Sequence, residues 1–195
     1  MNDYINEKEV EQIVKKIVGD YSHGKAIDEI NIYNKPDKAE VRELVNNLFQ
    51  IVFPGYFRDK AYKVYNPKHN FAVLIEDIFY HLNKQVYLAL DFCKLKDVYT
   101  EDERAVESYR ICKEFFARLP WVRKYVDTDL QAAFDGDPAA GCLEEIILAY
   151  PGLMASTTNR IAHELYKLNV PVLPRLMTEY AHAKTGIDIY KIIGV

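Results

Sequence analysis

Hydrophobic residues recur with the spacing of an α-helix along almost the whole chain. The first stripe comprises Val10, Ile13, Val14, Ile17 and Val18, and the second comprises Val41, Leu44, Val45, Leu48, Phe49 and Val52. Each stripe follows a capping signature, in which a polar side chain accepts from free N–H groups at a helix start. The capping pairs are Asn6 with Glu9 and Asp37 with Glu40. Gly19 and Pro54 mark the expected ends, so the pattern predicts two amphipathic helices.

Two longer helices are predicted in the central part of the chain. One covers about residues 71–92, on a face formed by Phe71, Leu74, Ile75, Ile78, Phe79, Leu82 and Val86. The other begins at Thr100, which pairs with Glu103 as a cap, and is expected to bury Ala105, Tyr109, Cys112, Phe116 and Leu119. Proline lacks the N–H that a helix interior needs, so Pro120 is expected to end this helix or open the next.

Shorter helices are predicted over residues 121–134, 143–150, 153–168 and 172–184. Pro171 and Pro174 fit near the start of the last one, where a proline costs little. No alternating run long enough for a sheet precedes Gly186, and only the segment from Ile187 to Tyr190 has an extended pattern. The expected fold class is therefore all-α.

The amino-acid composition indicates a globular domain and argues against nucleic-acid and membrane partners. The 195 residues are 49% hydrophobic and 28% charged, which suits one globular domain with a substantial core. The net charge is −4 and no basic stripe is present, so nucleic acid is not an expected partner. A polar, acidic start and the lack of any apolar run near ~18 residues argue against a membrane partner and favour a cytoplasmic protein. Fifteen tyrosines suit helix packing and subunit contacts.

Cysteine and histidine chemistry is not expected to carry the function. Three scattered cysteines are too few for a disulfide framework, and we expect reduced, buried thiols at Cys93, Cys112 and Cys142. The segment from His163 to Lys167 begins like a zinc-protease helix, but Lys167 stands where the second histidine must be. We therefore expect no metal site, and His163 as a packed or partly exposed helix residue.

The acidic segments admit ordinary structural interpretations. Glu144 and Glu145 are adjacent on a helix and point in different directions, which favours a solvated face over an acid/base pair. The turn Asp135-Gly136-Asp137-Pro138 is explained by a loop that caps the following helix, and Asp188 by a carboxylate at a turn or strand edge. Composition and spacing alone thus predict a helical domain suited to oligomerisation and no particular chemistry.

A series of ordered motifs in the second half resembles serine acetyltransferases. The opening block of their serine-binding region is matched by residues 128–133 and by Asp135-Gly136-Asp137-Pro138-Ala139-Ala140. Further blocks follow with similar spacing at residues 145–152, 159–166, 170–175 and 178–189, the last ending in Gly186-Ile187-Asp188-Ile189. Residues 1–120 resemble the family more loosely, as a variable helical region. The alternative is a fortuitous match to a helical scaffold of another kind.

The resemblance implies transfer of an acetyl group from acetyl-CoA to the hydroxyl of L-serine, giving O-acetylserine for cysteine biosynthesis. A serine hydroxyl is a weak nucleophile, so a base must take its proton; in the family a histidine does so and an aspartate orients it. Asp188 matches that orienting aspartate. Asp137 matches the carboxylate that engages the substrate serine, and the resemblance implies a contact with its ammonium group. No bound cofactor is implied, because acetyl-CoA is a co-substrate.

The chain departs from the family after Ile189. Members continue with His-Pro-Gly-Ala and hexapeptide repeats that wind a left-handed β-helix, whereas this chain reads Tyr190-Lys191-Ile192-Ile193-Gly194-Val195. We expect a helical serine acetyltransferase N-terminal domain over residues 1–186 and a truncated start of the β-helix over residues 187–195. The catalytic histidine and the acetyl-CoA site are then missing, and this chain alone is expected to be inactive.

The resemblance also indicates partners. L-serine and acetyl-CoA are the family substrates, and a homo-oligomer is expected because the helical region helps to pair trimers. Some members dock on O-acetylserine sulfhydrylase through a C-terminal tail, which is absent here. The alternative function is a catalytically inactive helical module for oligomerisation or interaction.

Overall fold

A computed structural model describes residues 5–21, 25, 27–28, 35–57, 67–92 and 99–189. Over this part of the chain the regular secondary structure is helical, which confirms the all-α class. The helices are α1 (Glu7–Asp20), α2 (Lys38–Val52), α3 (Pro67–Phe92), α4 (Glu101–Gly136), α5 (Leu143–Ala149), α6 (Pro151–Lys167) and α7 (Leu173–Thr185). The chain divides into two compact units, residues 1–34 and 35–195.

Helix α1 belongs to the first unit and begins as predicted. Asn6 Oδ1 accepts from the Glu9 N–H and Glu9 Oε2 accepts from the Asn6 N–H, both at 3.0 Å, which completes the capping box. The helix ends one residue beyond Gly19. Its predicted apolar stripe is solvent-exposed by 42–56% at Val10, Ile13, Val14, Ile17 and Val18.

The core of the second unit lies between α2, α3, α4, α6 and α7. Helix α3 packs between α2 and α4, and α6 packs on both α4 and α7. All six apolar positions predicted for α2 are buried. Helix α3 buries Ile78, Leu82, Val86 and Ala89, whereas the predicted Ile75 is exposed. Each large aliphatic side chain removed from water contributes about 1.5–3 kcal/mol, so this shared core is the main stabilising feature of the unit.

The start of α2 is fixed from two directions. Asp37 Oδ1 accepts from the N–H groups of Ala39 and Glu40, as the capping signature predicted. The wholly buried Gln85 of α3 accepts from the Asp37 N–H at 2.8 Å and donates to Glu40 Oε2 at 2.7 Å. This long-range polar contact ties α3 to α2 and was not predicted.

Helix α4 continues through Pro120 to Gly136, so the predicted break and the separate helix over residues 121–134 are wrong. Pro120 is exposed, and because it has no N–H it leaves the carbonyl of Phe116, four residues earlier, without its helical donor. Leu119 and Val122 beside it are buried, and further turns bury Val126 and Leu130. Burial on both sides of the proline offsets its cost in a helix interior of about 3 kcal/mol.

The buried face of α4 also differs from the prediction. The buried residues of its first half are Ser108, Ile111, Cys112, Phe115 and Leu119. Tyr109 is 53% exposed, Ala105 is exposed, and Phe116 is only partly buried. Cys112 and Leu119 were assigned correctly, but the centre of the buried face is turned by about 60°, less than the step of about 100° between successive residues. The aromatic residues alone did not define which side faces the core.

The cysteines do not share one environment. Cys112 is buried, and burial raises the pKa of its thiol to about 12. Cys142 is a free thiol but exposed, so the expectation of a buried cysteine is wrong there. Cys93 lies outside the described residues.

Among the described helices, none is both long enough and apolar enough to cross a membrane.

Candidate functional site

The length of α4 sets the position of Asp137. The helix ends at Gly136, and Asp137 is its C-cap in an extended conformation. Its Oδ1 atom accepts from the Ala139 N–H at 2.9 Å, and its Oδ2 atom accepts from the Tyr150 hydroxyl at 2.6 Å. The turn does not cap the following helix, because Cys142 is the N-cap of α5 and no side chain bonds there. That structural interpretation of the acidic turn is therefore wrong.

Tyr150 was not singled out from the sequence. It is the C-cap of α5 and the N-cap of α6, and its partner Asp137 lies 13 residues earlier. The Tyr150 hydroxyl, followed by the Ala139 N–H, lowers the pKa of Asp137. In return, the hydrogen bond to Asp137, together with burial and the charge of Glu145, raises the pKa of Tyr150 to about 12. Near neutral pH the carboxylate is therefore charged and the phenol remains a donor.

Asp188 lies just beyond the end of α7. Gly186 is the C-cap in the left-handed conformation, with φ of 71°, and its N–H donates to the His182 carbonyl at 2.8 Å. The Thr185 hydroxyl then accepts from the Ile187 N–H at 3.1 Å. This turn leads into Asp188, which is exposed and makes no hydrogen bond or ion pair with another described residue. Residues 187–189 form no regular element, and Tyr190 lies outside the described part.

The two predicted site carboxylates are not hydrogen-bonded to each other and neither lines the nearby cavity, but neighbours of both do. The cavity has a volume of about 580 Å³ and its lining includes Tyr150 and Thr185. Tyr150 holds Asp137, and Thr185 precedes Asp188 by three residues. Helix α2 and its C-cap residue supply another wall, which includes Glu43, Asn46, Phe49 and Gln50 of the helix and Phe53 at its cap.

Asp129 and Arg160, which belong to two of the family-like blocks, are joined by a bidentate ion pair. Arg160 Nε and Nη2 donate to the two carboxylate oxygens of Asp129, each at 2.5 Å. The guanidinium also lies over the Tyr125 ring, 5.2 Å from its centroid. These contacts connect α4 to α6, so Asp129 has a structural partner and is not a free carboxylate.

The remaining candidates behave as ordinary surface residues. His163 is exposed on α6, as predicted, and its ring stacks with Tyr166 at 6.1 Å between centroids. Partial burial, followed by the charge of Lys167, lowers the pKa of His163. Glu144 and Glu145 are both exposed, which confirms the solvated face. No cluster of three or more His, Cys, Asp or Glu side chains suited to a metal ion occurs in the described ranges.

Comparison with known proteins gives the family. The chain is 32% identical over 161 residues to the plasmid serine acetyltransferase of Synechococcus elongatus, a match that covers 81% of this chain. The serine acetyltransferase of Bacillus subtilis is 45% identical over 62 residues, which cover 32% of this chain and 29% of that protein. This chain belongs to the serine acetyltransferase family. No protein-family model matches it.

Solved serine acetyltransferases share its fold. Serine acetyltransferase 1 of Entamoeba histolytica, in complex with L-cysteine, aligns with a TM-score of 0.59 and 25% identity over 92% of this chain. The native form of the same enzyme aligns with a TM-score of 0.60. The prediction of a helical serine acetyltransferase domain is confirmed. The chain spans 50% of the Synechococcus relative and 61% of the Entamoeba chain.

Proposed function

We propose that this chain supplies the serine side of a serine O-acetyltransferase, which converts acetyl-CoA and L-serine to O-acetylserine and CoA. Asp137 is the substrate-binding carboxylate in this proposal. The observation that carries it is the fixed geometry of Asp137 at the end of α4, where Ala139 and Tyr150 each donate to one oxygen. The carboxylate oxygens keep free lone pairs, which suit the ammonium group of an amino acid.

Asp188 is proposed as the residue that orients a histidine base. Its exposure just past the left-handed turn at Gly186 leaves the carboxylate open to such a partner. In the family motif the histidine directly follows Gly-Ile-Asp-Ile, and this chain has Tyr190 there. A carboxylate with no imidazole to orient cannot promote proton removal from serine. We therefore propose that the 195 residues by themselves do not transfer acetyl groups.

The proposal also covers the domain bounds, the co-substrate and the cellular location of the chain. Residues 1–186 constitute the helical domain, and residues 187–195 begin the entry to the β-helix. Acetyl-CoA is the co-substrate, and no contact to it is assigned to the described residues. The described cysteines, Cys112 and Cys142, are free thiols, which suits the cytoplasmic location that we propose.

Binding of L-serine tests the serine side directly. We expect L-serine to shift the NMR signals of the Asp137 turn, and Asp137→Asn to weaken binding by about 10-fold or more because a neutral amide replaces the charged acceptor. Asp135→Asn is the matched control, since Asp135 is exposed and, within the described ranges, accepts a hydrogen bond only from Gln131 of its own helix. Equal binding by wild type and Asp137→Asn would overturn the assignment.

The inactivity of the isolated chain has its own test. Free CoA released from acetyl-CoA in the presence of L-serine is measured with a thiol reagent. We expect no rate above the background without protein. A serine-dependent rate that scales with protein concentration contradicts the proposal for Asp188.

A helical interaction module is the second candidate function. The exposed apolar stripe of α1 favours it, because five aliphatic side chains there are 42–56% exposed. Homo-oligomerisation follows from that surface, and sedimentation equilibrium measures it. We expect the mass to fall toward that of a monomer, 22.7 kDa, in Val14→Asp, and to stay unchanged in the control Lys15→Asp. A wild-type chain that is monomeric at all concentrations rules this function out for the isolated chain.

A further inference from the structure

The contact between Tyr150 and Asp137 connects two parts of the fold that the sequence keeps apart. The Tyr150 hydroxyl donates to Asp137 Oδ2 at 2.6 Å, while the Ala139 N–H donates to Oδ1 at 2.9 Å. Each carboxylate oxygen thus has one donor. With both oxygens held, the plane of the carboxylate is fixed relative to α4 and to the junction of α5 and α6.

The backbone around Tyr150 keeps its phenol in place. The Tyr150 N–H donates to the carbonyl of Ile146 at 3.1 Å, and Ile146 is fully buried. Pro151 then opens α6 at its first helical position, where the fixed φ of proline favours the helix. Side chains that are anchored on helices in this way hold a neighbouring group with more precision than a mobile loop does.

We propose that Tyr150 is a positioning residue for substrate serine: it orients the Asp137 carboxylate so that the unused lone pairs face the ammonium group of the amino acid. This inference rests on the proposed function of Asp137. Tyr150 does not touch the substrate in this arrangement, and it acts through the carboxylate. It therefore determines selectivity for a free, protonated amine over an acylated one.

Electrostatics around the pair agree with this role. The Tyr150 hydrogen bond is the main cause of the lowered pKa of Asp137, so the phenol favours the charged carboxylate. Glu145 of α5 is the other acidic group acting on Tyr150, and its Oε2 atom accepts from the Gly141 N–H at 2.9 Å. Without the phenol, Asp137 would keep the Ala139 N–H as its remaining donor and would bind protons more readily.

Tyr150→Phe removes only the hydroxyl and keeps the ring, so the fold is expected to persist. Tyr109→Phe is the matched control, because Tyr109 is exposed on α4 and its ring contact with Phe79 does not need the hydroxyl. The Asp137 carboxyl is followed by ¹³C NMR from pH 2 to 8 in the 195-residue chain. L-serine is titrated at several pH values, and N-acetyl-L-serine, which lacks the ammonium charge, is titrated in parallel.

We expect Tyr150→Phe to raise the pKa of Asp137 and to weaken L-serine binding by about 10-fold, as for a lost hydrogen bond to a charged group. The pH below which binding is lost should rise with that pKa. The selectivity for L-serine over N-acetyl-L-serine should fall, and Tyr109→Phe should match wild type. In wild type, the ¹³Cζ signal of Tyr150 and the carboxyl signal of Asp137 should shift together as L-serine is added.

The outcomes separate this inference from the proposed function. If Asp137→Asn abolishes L-serine binding while Tyr150→Phe binds with wild-type affinity and pH dependence, the function of Asp137 stands and the role of Tyr150 is refuted. If wild type itself does not respond to L-serine, both are refuted. A folded Tyr150→Phe variant, checked by its unfolding midpoint, that binds weakly with a raised Asp137 pKa supports both.

Discussion

Arg160 on α6 donates two hydrogen bonds to the carboxylate of Asp129 on α4, although the residues are 31 positions apart in sequence. The Arg160 side chain is 35% exposed and that of Asp129 23% exposed, so the pair lies between a surface and a buried ion pair. The Tyr125 ring covers the guanidinium from one side. This contact fixes the crossing of the two helices whose ends carry Asp137 and Tyr150.

Removing one partner of this pair should destabilise the helical unit. Asp129→Asn is expected to cost about 1–2 kcal/mol of unfolding free energy, between the values for exposed and buried pairs. Urea denaturation monitored by circular dichroism measures it. Glu107→Gln is the control, because Glu107 pairs with Arg110 three residues away on the same helix and that arginine is 52% exposed; this variant should lower the unfolding free energy by less than about 0.5 kcal/mol. Equal costs for the two variants would show that the α4–α6 contact contributes no more than a surface pair.

Substitution of two adjacent phenylalanines tests which side of α4 faces the core. Phe115 is fully buried and Phe116 is only partly buried. Phe115→Ala should therefore lower the free energy of unfolding by about 3–5 kcal/mol, and Phe116→Ala should lower it by clearly less. Val106→Ala, at a position that is 71% exposed, is the control and should change little. A larger loss of unfolding free energy in Phe116→Ala than in Phe115→Ala would show that α4 buries the face predicted from the sequence pattern.

Acid should weaken the junction of α2 and α3. The hydrogen bond from Lys84 is the largest cause of the lowered pKa of Glu40, and Gln85 also donates to this carboxylate. A carboxyl whose pKa is lower in the folded state stabilises the fold above its unfolded pKa, and loses that effect as pH falls through the folded value. Lys84→Met should lower the free energy of unfolding by less than about 1 kcal/mol at pH 7, since Lys84 is 46% exposed. At pH 2, where Glu40 is protonated, the same substitution should not change the free energy of unfolding.

The control for that pH dependence is Lys113→Met. Lys113 is an exposed lysine of α4 that forms no ion pair with a described residue. Its effect on the unfolding free energy should be the same at both pH values. A Lys84→Met penalty that persists unchanged at pH 2 would contradict the role of Glu40.

The left-handed turn before Asp188 should require glycine. Gly186 has φ of 71°, a conformation that costs residues with a side chain about 1 kcal/mol. Gly186→Ala should lower the unfolding free energy by that amount. Gly152→Ala is the control, because Gly152 lies in the first turn of α6 with open space around it, and alanine favours the helix. Similar effects of the two substitutions would show that the turn does not need the left-handed conformation.

Local rules in the sequence were sufficient for the helix boundaries that depend on neighbouring residues. The caps at Asn6, Asp37 and Thr100 formed with the partners expected three residues later. The ordered motifs also identified the family and selected Asp137 and Asp188 as candidates. The roles of these two carboxylates remain predictions, which the binding and activity measurements address.

Only the tertiary structure decided the features that depend on distant residues. Pro120 stays within a helix because core packing on both of its sides outweighs a local cost. The buried face of α4 is set by which neighbours surround it, and a helical period does not specify that. Asp137 acquires Tyr150, and Asp129 acquires Arg160, because helix packing brings their backbones within hydrogen-bond reach. Hydrogen bonds act over about 3 Å in space, whatever the separation along the chain.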